Sequence, residues 1–122
     1  MKKILFIEDE FSLQKSVGEF LKREGYEVVH ALDGEIGLNI AKTEEPDLIL
    51  LDIILPKKDG FEVLEELKKD RKTEKIPIIV LTNLENPKDI EKSLSLGATT
   101  YLVKSDYELK DIAEKVKQHI GS

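Results

Sequence analysis

The chain has 122 residues, 19 basic and 25 acidic side chains, a formal net charge of −6 and no cysteine, so disulfides and thiolate metal sites are excluded. With 40% hydrophobic and 36% charged residues it has the composition of one soluble globular domain spanning residues 1–122, and an acidic surface that repels phosphate backbones, so no direct nucleic-acid contact is expected. Its apolar runs fall far short of the ~18 residues of a membrane span, and Ile4–Ile7 is too short for a signal-peptide core of ~7 to 15 residues, so the expected location is cytoplasmic, with no membrane partner.

Taken in chain order, short apolar runs alternate with segments of helical period, and no repeat or linker interrupts them. Ile4–Ile7 is continuous rather than alternating, which predicts a strand covered on both faces. Leu13, Val17, Phe20 and Leu21 recur at helical spacing, and Gly25 stands where a helix needs a left-handed stop. Tyr26–Ala31 predicts a second strand. Asp33 is placed to cap a helix carrying Ile36, Ile40 and Ala41 on one face, ending before Pro46.

Leu48–Leu51 is the third strand, followed by a helix with Phe61, Val63, Leu64 and Leu67 inward. Ile76–Leu81 predicts the fourth, with Pro77 at a tolerated position near its start. Pro87 suits the first turn of a helix bearing Ile90 and Leu94, and Gly97 suits its end. Thr99–Val103 is the fifth strand. Ser105-Asp106-Tyr107-Glu108 has the form of a capping box, ahead of a helix with Leu109, Ile112, Ala113, Val116 and Ile120 inward.

Five βα units predict an α/β fold. Strands joined by helices run parallel, and right-handed crossovers put helices on both faces of the sheet. Five units are too few for a closed eight-stranded barrel, which leaves an open doubly wound (βα)5 sheet, of which the flavodoxin-like order 2-1-3-4-5 is a standard version. Ligands of such folds bind beyond the carboxyl ends of the strands. Those ends are polar: Glu8 and Asp9 after strand one, Asp52 after strand three, Thr82 after strand four and Lys104 after strand five.

Carboxylates gathered on one edge repel, since two unit charges ~4 Å apart cost about 4 kcal/mol at an effective dielectric of ~20. Lys104 supplies one compensating charge, and a hard divalent cation, magnesium by the chemistry of its oxygen ligands, supplies the rest. A carboxylate beside magnesium, a lysine and a hydroxyl suits phosphoryl transfer, and a carboxylate can itself attack to give an acyl phosphate. Asp52, a single acid at a central strand end, is the better nucleophile; the pair Glu8-Asp9 is better fitted to hold metal.

Over essentially its whole length the sequence resembles the receiver domain of bacterial two-component response regulators, chemotaxis receivers included. The resemblance is carried by Glu8-Asp9, by Asp52 within the segment from Leu50 to Gly60 with Pro56 and Asp59-Gly60, and by Thr82, Tyr101 and Lys104. It implies a signalling switch rather than an enzyme, which catalyses only its own magnesium-dependent phosphorylation and dephosphorylation. Asp52 would accept a phosphoryl group from a sensor histidine kinase or histidine phosphotransfer protein. Glu8, Asp9, Asp52 and the backbone carbonyl of Ile54 would hold magnesium, and Thr82 and Lys104 would bind the phosphoryl oxygens. Thr82 would then move, Tyr101 would turn inward, and the surface of helix four, strand five and helix five would change for an output partner.

Ser105 stands where the family usually has proline after the lysine, which predicts a trans Lys104–Ser105 bond and a role for Ser105 in capping helix five. The resemblance implies that Ile54, two beyond the phosphoacceptor, and Leu84, two beyond the switch threonine, flank the approach to the phosphoryl group; neither offers a hydrogen bond to an attacking water, which predicts a long-lived phosphorylated form. Taken singly, Asp59 reads as a turn residue, Tyr101 as a packed aromatic, and His30 and His119 as residues without metal spacing. Two other classes compete: a receiver-like docking module that is never phosphorylated, and a flavodoxin-like cofactor domain or aspartate-based hydrolase. The last fares badly, because the sequence has neither a glycine-rich phosphate loop after strand one nor the Asp-x-Asp form of the aspartate-nucleophile phosphatases. No DNA-binding helix-turn-helix, catalytic domain or linker follows the fifth helix, so the chain reads as a stand-alone receiver or a domain of a longer regulator.

Overall fold

A computed structural model describes residues 1–121. Its elements are β1 (Lys3–Ile7), α1 (Phe11–Arg23), β2 (Glu27–Ala31), α2 (Gly34–Glu44), β3 (Leu48–Leu51), α3 (Gly60–Lys69), β4 (Ile78–Thr82), α4 (Pro87–Ser95), β5 (Thr100–Val103) and α5 (Leu109–Ile120), with a single 3-10 turn at Lys104–Asp106. The five strands form one parallel sheet in the order β2-β1-β3-β4-β5, as the sequence pattern predicts.

The continuous apolar runs follow from a two-sided sheet, because neighbouring strand residues face opposite sides. Leu5, Ile7, Ile49, Leu51, Ile78 and Val80 meet Leu38 and Ala41 of α2 and Val63, Leu64 and Leu67 of α3. Ile4, Phe6, Leu48, Leu50, Ile79, Leu81 and Leu102 meet Val17 and Leu21 of α1 and Ile112, Ala113 and Val116 of α5. Asp33 and Asp59 cap α2 and α3 by accepting from Ile36 N (2.8 Å) and Glu62 N (3.0 Å), and Asn86 caps α4 through Lys88 N (2.8 Å).

Several boundaries and faces differ from expectation. Tyr26 precedes β2, with its hydroxyl on the Gly121 carbonyl, and Ile76 and Pro77 precede β4. Ile36 is exposed, whereas Ala41 is buried and Ile40 packs against the core as expected, with Gly34, Gly37 and Leu38 completing the inward face of α2. Phe61 is only half-buried and Leu94 is exposed. The Lys104–Ser105 bond is trans as expected, but Ser105 does not cap α5. It is taken up in the 3-10 turn, which carries the chain four residues further before the helix begins. Glu108 is the cap residue, and its N–H donates to Asp111 Oδ2 at 3.1 Å.

Candidate functional site

The register of the sheet assembles the site. Ile7 pairs with Ala31 on one side and Leu51 on the other, so Glu8 and Asp52 each follow the last paired residue of adjacent strands. The ladder runs one step past the pairs: Glu8 N–H donates to Ala31 O at 2.9 Å and Asp52 N–H to Ile7 O at 3.1 Å. Thr82 closes β4 opposite Val103, and Lys104 comes next. Gly60, at the start of α3, lies against the backbone of Asp52 and Ile53. A β-carbon there would stand 2.4 Å from Ile53 Cα, so only glycine lets the helix seat this close to Asp52.

Glu8 is fully buried, Asp52 is 4% exposed, and Asp9 is exposed at the mouth. Each brings one carboxylate oxygen within 4.8 Å of the other two, three hard anionic donors that could hold a metal ion of the magnesium or calcium class. Lys104 Nζ lies 2.7 Å from Glu8 Oε1 and 2.9 Å from Asp52 Oδ2, with Glu10 Oε1 at 3.9 Å. The other Asp52 oxygen, Oδ1, accepts from Ile54 N–H at 3.1 Å. Thr82 is buried and its hydroxyl has no hydrogen-bond partner, a donor without an acceptor beside the acids' strand.

Burial pushes the Glu8 carboxyl up to about 7, against the pull of the Lys104 hydrogen bond and with repulsion from Asp52 adding to the rise. Burial works against the Lys104 ammonium, but its bonds to Glu8 and Asp52 outweigh that and hold its pKa above the usual lysine value. One cation thus serves two buried carboxylates, and a second positive charge would be stabilised there.

The structure brings together Glu8, Asp9, Asp52 and Lys104, with Thr82 on the neighbouring strand end. Tyr101 is half-buried, and its hydroxyl donates to Leu84 O at 2.8 Å in the β4–α4 loop. Burial, with Asp89 and Asp52 adding, raises its pKa to about 12. Ile54 is 56% exposed and Leu84 half-buried. The histidines lie away from the acids: His119 Nε2 is 2.9 Å from Thr100 Oγ1, and His30 rests against Gly18 of α1. Sequence reasoning missed two participants. Glu10 reaches toward Lys104, and its N–H donates to Glu8 Oε2 at 3.1 Å. Gln14 is buried in α1 with its amide on the Glu8 and Ala31 carbonyls. A polar residue on an otherwise apolar helix face was the available signal for Gln14.

The family description "response regulator receiver domain" matches residues 4–117. The probable transcriptional regulator ycf27 of Cyanophora paradoxa is 41% identical over 116 residues, which cover 95% of this chain and 47% of that protein. The CheY-like response regulator receiver domain protein of Methanospirillum hungatei superposes with a TM-score of 0.91 at 32% identity, covering 98% of this chain and 94% of that one. The BeF3-activated N-terminal receiver domain of Klebsiella pneumoniae RstA superposes with a TM-score of 0.91 at 29% identity, covering 99% and 100%.

The chain belongs to the response regulator receiver domain family. It is a domain of two-component signalling, regulatory rather than an enzyme in the usual sense. It spans about half the length of the curated relatives it matches. Among the described residues no helix is long and apolar enough to cross a membrane.

Proposed function

We propose that Asp52 is the phosphoacceptor of a cytoplasmic receiver that constitutes a single domain over residues 1–122. The observation that carries this reading is the Lys104 ammonium held between Asp52 and Glu8, with Asp9 completing a three-carboxylate cluster. An Asp52 oxygen attacks the phosphorus of a phosphohistidine on the kinase or phosphotransfer partner. The O–P bond forms as the P–N bond breaks, and the imidazole leaves with the bonding pair and takes a proton. Lys104 and the unpaired Thr82 hydroxyl receive the phosphoryl oxygens, with charge neutralisation as the main catalytic contribution.

Glu8, Asp9 and Asp52, with the Ile54 carbonyl, would hold magnesium, which supplies the charge that Lys104 alone does not. The chain catalyses only its own phosphorylation and dephosphorylation. When Thr82 turns to the phosphoryl group, Tyr101 leaves the Leu84 carbonyl and the α4, β5 and α5 surface changes for the output partner. The ycf27 relative is by name a transcriptional regulator, which supports an output at DNA. The net charge of −6 supports contact by a part other than this domain.

Incubation with acetyl phosphate and magnesium, read by intact mass, is expected to add one phosphoryl group of ~80 Da, lost entirely in Asp52→Asn or with excess chelator. A stable adduct on Asp9 or Glu8 in that variant would overturn the assignment, and no adduct on the native chain would favour the docking-module alternative.

A further inference from the structure

Gln14 is the one polar side chain on the inward face of α1, among Val17, Gly18 and Leu21, and it is only 6% exposed. A buried primary amide is unfavourable unless its hydrogens find acceptors. Here Nε2 donates to Glu8 O at 2.7 Å and to Ala31 O at 2.9 Å. Ala31 O also accepts from Glu8 N–H. Glu8 is therefore held at both ends of its own peptide frame, its N–H on β2 and its carbonyl on α1, at the last hydrogen bond of the ladder between β1 and β2. No apolar side chain of the same length could do this.

The side chain of Glu8 leaves that frame toward Lys104, and Glu10 N–H closes on its second oxygen. We propose that Gln14 is a positioning residue of the acid site: it sets the Glu8 carboxylate, through the backbone, for cation binding and phosphoryl transfer. This rests on the reading of the Glu8, Asp9 and Asp52 cluster given above. Loss of the amide leaves the buried Glu8 carbonyl without that partner, and the β1–α1 loop must shift or admit water to satisfy it. Groups that orient a metal-binding residue without touching the ion commonly matter by about 10- to 100-fold in affinity.

The test compares the full chain with Gln14→Met, which keeps length and volume but has no donor, and with Val17→Ala, which weakens the same helix face and leaves the amide alone. Three readouts are taken: magnesium affinity by titration, exchange of the Glu8 amide hydrogen, and thermal midpoint. Gln14→Met is expected to weaken magnesium binding about tenfold or more and to speed Glu8 amide exchange. Val17→Ala is expected to lower the midpoint with magnesium affinity unchanged. Unchanged exchange and affinity in Gln14→Met would overturn the proposal, as would equal loss of affinity in both variants, which would mean that α1 stability alone is responsible. Failure of the native chain to bind magnesium at all would instead sink the metal-site reading, while faster Glu8 exchange in Gln14→Met would still show the amide holding that backbone.

Discussion

The two sides of the sheet's carboxyl edge are built differently. Around β1 and β3, which carry Glu8, Asp9 and Asp52, every strand residue from Ile4 to Ile7 and from Leu48 to Leu51 is buried, and α3 seals the region with Gly60, Val63, Leu64 and Leu67. Around β5 the layer is thin. α4 buries only Ser93 of its nine residues, with that hydroxyl unpartnered, and Leu94 is 46% exposed. The contacts that tie α4 and its flanking residues down include the Tyr101 hydroxyl on Leu84 O in the loop before it, the Lys92 ammonium 4.2 Å from the centre of the Phe61 ring, and partly buried Leu96 at its end. A group that must be held at fixed geometry needs the first kind of surroundings. A surface able to respond to a local event needs the second, because such an event can shift only an equilibrium separated by a few kcal/mol.

The largest expected effect tests that contrast directly. Leu64→Ala, in the α3 core, should cost about 2–5 kcal/mol of unfolding free energy, and Leu94→Ala on α4 no more than about 0.5, measured by urea denaturation. Equal losses would erase the distinction. Lys104→Met should leave the fold intact but slow phosphorylation from acetyl phosphate about 100-fold, since it removes the only cation on the two buried carboxylates among the described residues. A rate close to native would take Lys104 out of the transfer step.

Two flanking residues sharpen the comparison, one from each side. Ile54 belongs to the fixed loop after β3 and Leu84 to the loop that Tyr101 holds. Ile54→Asn should speed loss of the phosphoryl group, followed by mass, without altering α4. Leu84→Glu should speed it and also raise amide exchange in α4. If neither hastens loss, apolar shielding does not set the lifetime. The smallest effect is expected from Tyr101→Phe, which deletes one hydrogen bond worth about 1 kcal/mol or less. Hydrogen exchange should quicken in α4 and stay unchanged in β1; unchanged exchange in α4 would show that the Leu84 contact does not restrain the helix.

Most of the fold was legible in the sequence because the apolar runs and helical spacings are strong local signals. The five strands, their parallel pairing and the acids at their ends all follow from pattern. The structure departs from that pattern where the local signal is ambiguous. Ile36 is as apolar as Leu38, yet the glycines Gly34 and Gly37 let α2 approach the β3–α3 loop and Ile7 closely, which turns Leu38 rather than Ile36 inward. Ser105 had cap chemistry, but the 3-10 turn consumed it and passed the role to Glu108.

Residue pattern by itself determined the alternation of elements, the two-sided burial of β1, β3 and β4, and which polar residues end the strands. These follow from periodicity and from the preference of each side chain for water or core, and both are local properties. Only the tertiary structure decided that Lys104, 52 residues from Asp52, bridges it to Glu8, that the Gln14 amide holds the Glu8 carbonyl, and that the Tyr101 hydroxyl finds Leu84 O. Each of these depends on strand register and on how far a helix stands from the sheet, distances that arise from the packing of the whole core and are written in no single segment of the chain.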